Sequence, residues 1–285
     1  MRTLHIDCGK EMAGGQWQVL YLVERLKDAV LMAPQSSPLF NEAKKRNLNV
    51  WPLSFASALA SARDVDLVHA HDSRAHTVAV AATRKPLVVS RRVGFPMKRS
   101  VLSDFKYSAA RRFVAVSKYA AARLVERGID PDRIRIVYDG VPVPDQPSER
   151  TGGVVAIAKN GREALDATGI PVQIVSDLWR DLSTARVCVY LSEMEGLGSG
   201  ALAAMACGVP VIASRVGGLP EIIEHERTGL LVDSPGDLEP ALRRLLENAD
   251  EALEMGKRAR EIVRQKFSAD VMTEAMQNAY EEVLD

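Results

Sequence analysis

Short, unalternated apolar runs punctuate the first half of the chain: LHI from Leu4, LVHAH from Leu67, PLVVS from Pro86, RFVAVS from Arg112 and IRIVYDG from Ile134. Runs of this kind, bounded by polar and helical stretches, predict strands covered on both faces, as in a parallel sheet with helices between the strands. Residues 142–153, PVPDQPSERTGG, interrupt the pattern with three prolines, polar side chains and a glycine pair, the composition of an exposed linker. The alternation then restarts with VVAIA from Val154, PVQIV from Pro171, VCVYLS from Val187, VPVIA from Val209 and GLLV from Gly229. Two consecutive βα-type domains are expected, over residues 1–147 and 148–266.

Helical spacing fills the intervals. Leu238, Ala241, Leu242, Leu245 and Leu246 fall at i, i+3, i+4, i+7 and i+8, which buries one side of a helix. Val271, Met272, Ala275, Met276, Ala279, Tyr280, Val283 and Leu284 make a second such stripe, so the last segment, 267–285, must pack on something. No fixed-period repeat or low-complexity stretch is present, which removes solenoids.

Composition adds a soluble class to this α/β picture. With 47% hydrophobic and 26% charged residues, the 285-residue chain has material for a core and a solvated surface. Its three cysteines, Cys8, Cys188 and Cys207, are odd in number and widely spaced, which predicts reduced thiols and a cytoplasmic protein. The opening MRTLHID has no apolar leader pattern, and no apolar run approaches the ~20 residues of a membrane span.

Charge is balanced overall but not along the chain. Residues 1–150 hold 24 Lys and Arg against 15 Asp and Glu, and residues 151–285 hold 13 against 22. Within 84–127 there are 12 basic residues and two acidic ones, Asp104 and Glu126, a local field that attracts phosphates or an anionic membrane surface. Nucleic acid is not the expected partner, because no aromatic platform or reader motif accompanies the charge.

In open α/β sheets ligands bind beyond the carboxyl ends of strands, so chemistry is sought in strand-to-helix loops. After the first strand, Gly14 and Gly15 precede a helix whose N-terminus, with bare backbone beside it, suits an anion, although neither GxGxxG nor GK[ST] is present. The loop EGLGSG is more specific: Gly196, Gly198 and Gly200 let a phosphate or sugar lie against backbone, and Glu195 can accept hydrogen bonds from hydroxyls. Gly217, Gly218 and Pro220 make a turn before another helix, with Glu221 in its first turn. Asp64-Val65-Asp66 has the DxD form of a metal motif but precedes a strand rather than ending one. His71 and Asp72 close a strand, with His69 one pleat repeat earlier and partly buried; no spaced Cys, His or Glu partners make a zinc site, and no metal is expected.

Together these residues resemble the retaining glycosyltransferases of the GT-B fold, family 4 (group 1) type. The resemblance rests on GGQWQVLYLVERL (14–26), DLVHAH (66–71), FVAVS (113–117), RIVYDGV (135–141), EGLGSGALAAMACGVPVIASRVGGLPEII (195–223) and TGLLV (228–232). It implies two Rossmann-like domains facing a cleft, with the acceptor on the N-terminal domain, a nucleotide-diphosphate sugar as co-substrate on a shortened C-terminal domain, and a last helix returning to the first domain. It makes Glu195 the first glutamate of an E-x7-E motif, beside the donor sugar hydroxyls, and Gly196, Leu197, Gly198, Ser199 and Gly200 its backbone-donor loop. Gly14, Gly15, Lys159 and Arg162 join the donor-binding set. Arg92 stands where many members have a histidine and is, with Glu195, the catalytic candidate; His71, Asp72, Arg91, Lys98 and Arg99 form the acceptor side. No metal or cofactor is implied.

The implied activity is sugar transfer with retention to a glycan, lipid-linked or other anionic acceptor, at a peripheral site on the inner membrane face contacted through residues 84–127. A second reading stays open: Ala203 stands at the second glutamate of the motif and the usual Lys-Gly is missing, as in a member without donor turnover that acts as a binding or partner subunit.

Overall fold

The computed structural model describes residues 1–94, 100–157 and 161–285, so the candidates Lys98, Arg99 and Lys159 lie outside the described residues. Contacts divide the chain into unit 1, Met1–Asp139 with Met272–Asp285, and unit 2, Gly140–Val271. The division falls after Asp139, ahead of the proline-rich segment, because that segment is tied into unit 2. Its Ser148 N–H donates to the Cys207 carbonyl at 2.7 Å, and its hydroxyl donates to the Ala185 carbonyl at 2.8 Å.

Unit 1 is a seven-stranded parallel sheet of β1 (Thr3–Ile6), β2 (Ala29–Ala33), β3 (Val50–Pro52), β4 (Leu67–Ala70), β5 (Leu87–Arg91), β6 (Arg112–Ala115) and β7 (Ile134–Ile136). The spatial order is β3-β2-β1-β4-β5-β6-β7. β1, β2 and β4 are buried along their whole length, as sheet strands covered on both faces must be. The order reverses between β1 and β4, which pair Ile6 with Ala70, so the loops after these strands diverge and leave a crevice. The helices are α1 (Gly14–Arg25), α2 (Pro38–Lys45), α3 (Phe55–Ser61), α4 (Ser73–Ala82), α5 (Val101–Ser108) and α6 (Lys118–Glu126). Ser37, Ser54, Ser100 and Ser117 cap α2, α3, α5 and α6 by accepting an N–H three residues on, each worth about 1 kcal/mol.

Unit 2 has five parallel strands, β8 (Val154–Ala156), β9 (Val172–Ile174), β10 (Val187–Tyr190), β11 (Val211–Ser214) and β12 (Gly229–Val232), in the order β12-β11-β10-β8-β9. Its helices are α7 (Arg162–Ala167), α8 (Leu178–Leu182), α9 (Ser199–Ala206), α10 (Leu219–Ile222), α11 (Leu238–Glu247) and α12 (Ala249–Lys266). Leu238, Leu242 and Leu245 of α11 pack on Val187, Val189 and Ile212, the arrangement that their spacing predicts. α9 is buried from Ala201 to Ala206, and just after it Gly208 packs against Gly256 of α12, where a Cβ would overlap the Gly208 carbonyl oxygen. From α12, the buried Arg260 donates to the Ala206 carbonyl at the C-terminal end of α9, where a cation offsets the helix dipole. Here the order reverses between β8 and β10, so the loop carrying Glu195 leaves the sheet at its switch point.

The final helix, α13 (Ala269–Leu284), gives unit 1 its apolar stripe: Met272, Met276, Ala279, Tyr280 and Val283 are buried. Among the described residues no helix is long and apolar enough to cross a membrane.

Candidate functional site

In unit 2, the turn after β10 presents Glu195 with both carboxylate oxygens held. Oε2 accepts from the Tyr190 hydroxyl at 2.6 Å, and Oε1 accepts from the Gly196 N–H at 3.0 Å. Burial and then the charge of Glu195 push the Tyr190 phenol upward, so it keeps its proton and is fixed as the donor. Gly198 adopts φ +107, a left-handed conformation that suits glycine, and begins α9 without a side-chain cap. The first N–H groups of that helix are therefore not used by a capping side chain.

The pair Gly217-Gly218 braces this turn. A Cβ at Gly217 would overlap the Glu195 carbonyl oxygen and one at Gly218 the Gly196 carbonyl oxygen, while the Gly218 N–H donates to the Glu195 carbonyl at 3.1 Å. The two glycine motifs of unit 2, read separately in the sequence, are thus one packed object. Ala203 is 1% exposed in the middle of α9, so the place of the second motif glutamate faces protein. On the same side of α9, a Cβ at Gly200 would lie 2.9 Å from the Tyr190 ring and 3.2 Å from Ile157, which leaves no slot for a longer side chain there. Arg162 begins α7 as a largely exposed side chain, 3.6 Å from Asp166 on its own helix, and no described contact joins it to Glu195. A cavity of about 330 Å³ opens at the strand ends, lined by Leu191, Ser192 and Glu193 after β10 and by Ser214, Arg215 and Val216 of β11 and its following turn.

In unit 1 the crevice between β1 and β4 gathers a polar set. Asp7, after β1, is buried, which raises its carboxyl; the Gly9 N–H at 2.8 Å and the Gln16 amide at 3.0 Å oppose that shift. Gly15, at the start of α1, stands beside Arg92, whose Cδ would lie 3.7 Å from an added Cβ. The Arg92 Nε donates to Asp139 at 3.3 Å, and its Nη1 donates to the His71 Nδ1 at 3.2 Å. Gly15, His71 and Arg92 are therefore brought together, with Gly14 next to Gly15 in the chain. Asp72 has another use: Oδ1 caps α4 through the Arg74 and Ala75 N–H groups at 2.7 and 3.0 Å, and Oδ2 accepts from the Cys8 N–H at 2.6 Å. It pins two loops. Arg91, one residue before Arg92 and so on the other side of its strand, lines a separate groove between α4 and α5.

Behind Arg92 lie three buried imidazoles, and their protons can be assigned. Arginine only donates, so the His71 Nδ1 is the acceptor and its proton sits on Nε2. That Nε2 faces the His5 Nδ1 at 3.0 Å and donates to it, and the His5 Nε2 in turn donates to the Thr3 hydroxyl at 3.0 Å. His69 completes the cluster between the Tyr280 hydroxyl at 2.6 Å and Ser90 at 2.8 Å. Burial, with the Arg92 charge adding to it, depresses all three rings, His5 to about 3, so they are neutral. These histidines are the one group among the described residues whose spacing would suit a metal ion. A metal on the His71 Nε2 would force the remaining proton onto Nδ1, pointing at the guanidinium, and this donor set does not fit one. His69 is fully buried rather than partly so, because α13 lays Tyr280 over it. Asp66 of the DxD-like segment accepts the Arg2 N–H at 2.8 Å.

Sequence reasoning missed Tyr190, Asp139, Asp7 and Gln16. Tyr190 sits at a strand end five residues before Glu195, and Asp139 in the turn YDG, signals visible only once the strand ends were known.

The chain matches the model for Glycosyltransferase Family 4 over residues 11–143 and that for Glycosyl transferases group 1 over residues 167–262. It is 40% identical over 106 residues to N-acetyl-alpha-D-glucosaminyl L-malate synthase of Bacillus anthracis, covering 36% of this chain and 28% of that one. It is 33% identical over 164 residues to D-inositol 3-phosphate glycosyltransferase of Gordonia bronchialis, covering 56% of this chain and 35% of that one. The matched stretches thus span about a third of these curated relatives. In fold, the chain is similar to HepE of Anabaena, solved in complex with UDP and glucose, at a TM-score of 0.88 and 16% identity over 99% of both chains. It is also similar to sucrose-phosphate synthase of Thermosynechococcus elongatus, at a TM-score of 0.73 and 20% identity over 99% of both. With two parallel α/β units of this fold and a family match in each half, the chain belongs to the group 1, family 4 type of glycosyltransferases.

Proposed function

We propose that this chain transfers a sugar, with retention, from a nucleotide-diphosphate sugar bound by unit 2 to a glycan, lipid-linked or other anionic acceptor recognised by unit 1. The observation that carries the reading is Glu195, a carboxylate held by Tyr190 on a turn that Gly217 and Gly218 brace, immediately ahead of an uncapped helix N-terminus. Such a carboxylate orients sugar hydroxyls. The N-terminus of α9 and the bare backbone at Gly196 and Gly198 receive the diphosphate, where aligned N–H groups stabilise the charge that grows on the leaving group. The cavity beside Glu193 and Ser214 takes the nucleoside portion. In unit 1, Arg92 is the catalytic candidate, the N-terminus of α1 at Gly14 and Gly15 offers its N–H groups to the donor, and the acceptor side includes His71. The reaction needs no metal in this reading and takes place in the cytoplasm.

UDP and UDP-glucose, the ligands of HepE, are the first probes, followed by GDP- and ADP-sugars. Calorimetric titration should show binding of one nucleotide class, and Glu195→Ala should lower sugar-nucleotide turnover severely, to a residual rate, while leaving the fold intact. The buried Ala203 favours one competing reading, a subunit that binds partners without turnover. Failure of every nucleotide sugar to bind would overturn our reading and support that one.

A further inference from the structure

α3, α4 and α5 lie side by side on unit 1, and two grooves run along the outer edge of α4, with Val80 and Ala81 lining both. The groove towards α3, about 580 Å³, carries Leu59 with Arg63, Arg84 and Lys85. The groove towards α5, about 710 Å³, carries Leu102 and Phe105 with Arg91 and Lys106. Among the described residues, five basic side chains and no acidic one line the two grooves. α5 is unusual in burying none of its own residues: Val101, Leu102 and Phe105 are 86%, 82% and 66% exposed. Phe55, one turn before Leu59 on α3, is exposed as well. The nearby acid, Asp104, is paired with Arg127 and adds little free negative charge.

Large apolar side chains left in water on three neighbouring helices, set among cations, match one kind of surface. We propose that the outer layer formed by α3, α4 and α5 docks on an anionic lipid bilayer, with Leu102 and Phe105 entering the headgroup–acyl boundary and Arg63, Arg84, Lys85 and Lys106 meeting lipid phosphates. Amphipathic surfaces bind membranes in this way, by apolar insertion that charge attraction assists. Long basic side chains suit the role, because their stems lie on apolar surface while the heads reach phosphate. A protein partner would demand a complementary acidic face. A bilayer requires only negative charge above an apolar layer, and the excess of basic residues over 84–127 meets that requirement. The inference deepens the acceptor half of the proposed reaction and rests on it for its purpose, since an enzyme held at a bilayer meets lipid-linked acceptors.

Co-sedimentation of the full chain with vesicles tests the proposal directly. Vesicles containing phosphatidylglycerol should capture the protein and pure phosphatidylcholine vesicles should not. Raising the salt should weaken capture, as screening shortens the reach of the cations. Leu102→Glu with Phe105→Glu should cut partitioning at least about 30-fold, from the lost insertion of two apolar side chains. Arg84→Ala with Lys85→Ala should cut it about 25-fold, at roughly fivefold per cation. All variants should melt within about 2 °C of the parent, as surface substitutions do. The proposal is overturned if anionic vesicles fail to capture the chain or if the Glu variant binds as the parent does. It is equally overturned if the parent is a dimer that the Glu variant dissociates, with no vesicle binding, because a second copy then covers the patch. Turnover of UDP-, GDP- and ADP-sugars, followed separately, distinguishes the cases: capture with turnover of none sinks the enzymatic reading alone, and turnover without capture sinks the docking surface alone.

Discussion

Replacing Tyr190 by Phe removes one oxygen atom and little else, which makes it the sharpest probe of the donor side. The Tyr190 hydroxyl donates to the Glu195 Oε2 at 2.6 Å, and the phenol is kept protonated by burial and by the carboxylate's own charge. A partly buried hydrogen bond to a charged group contributes about 1.5–3 kcal/mol. The Gly196 N–H still holds Oε1 in the variant, so the carboxylate is loosened about one bond rather than released. If all of that energy is used to aim Glu195 at the donor sugar, kcat/KM for sugar-nucleotide turnover falls by about 10- to 150-fold. The assay is hydrolysis or transfer with the nucleotide sugar that calorimetry selects, on Tyr190→Phe, Glu195→Ala and the double variant. Because the phenol acts through the carboxylate, the Phe substitution should cost almost nothing in the Glu195→Ala background, a strongly non-additive cycle. A Tyr190→Phe enzyme within twofold of the parent, or equal losses in both backgrounds, would refute the assigned role.

Three other expectations follow from geometry and burial. Gly218→Ala places a methyl group on the Gly196 carbonyl, so the Glu195 turn must shift; stability should drop by about 1–3 kcal/mol in urea unfolding and nucleotide-sugar binding should vanish, and an unchanged affinity would show that the brace is idle. Ala203→Glu restores the residue pattern of the motif but buries a carboxylate without a partner, so it should destabilise unit 2 by about 3 kcal/mol or more; tighter nucleotide binding in this variant would contradict the packing described for α9. His5, His69 and His71 are depressed in the folded chain, so between their ordinary range and the lowered one the unfolded state binds more protons. Stability is therefore held above about pH 6.5 and lost as pH falls, by up to about 1.4 kcal/mol per pH unit for each ring, and urea midpoints that stay flat from pH 7 to pH 5 would exclude neutral buried imidazoles.

The architecture was legible because it is written in local signals. Strands covered on both faces are unbroken apolar runs, and the repeats at Leu238 and Met272 bury the sides that their spacing dictates. The Glu195 turn was equally visible, since alternating glycines after a strand have few other uses. What escaped depends on pairs far apart in sequence. Gly217 looks like a turn residue until its contact with the Glu195 carbonyl is known, and Tyr190 looks like a core aromatic until the strand end places it. His5 meets His71 across 66 residues, through the pairing of β1 with β4, which spacing along the chain cannot reveal. Asp72 offers the opposite lesson: an aspartate between a strand and a helix is an N-cap by position, and its carboxylate is used for that. The domain division moved from the proline-rich segment to Asp139 because Ser148 anchors that segment to unit 2 by two hydrogen bonds.

The file of neutral imidazoles behind Arg92 also solves a problem of solvation. Its side chain is only 10% exposed, and a cation withdrawn from water needs dipoles turned towards it. Both His71 and His5 point their bare nitrogens to the Arg92 end and their N–H bonds away, down to Thr3, so their dipoles add in the sense that favours positive charge. Two side chains that titrate near neutrality in water are here a fixed substitute for a hydration shell. Removing Arg92 would therefore take away the one group that tells each ring which nitrogen carries its hydrogen. In an Arg92→Met chain both tautomers of His71 and His5 become available, and ¹⁵N spectra of the two rings would show the mixture.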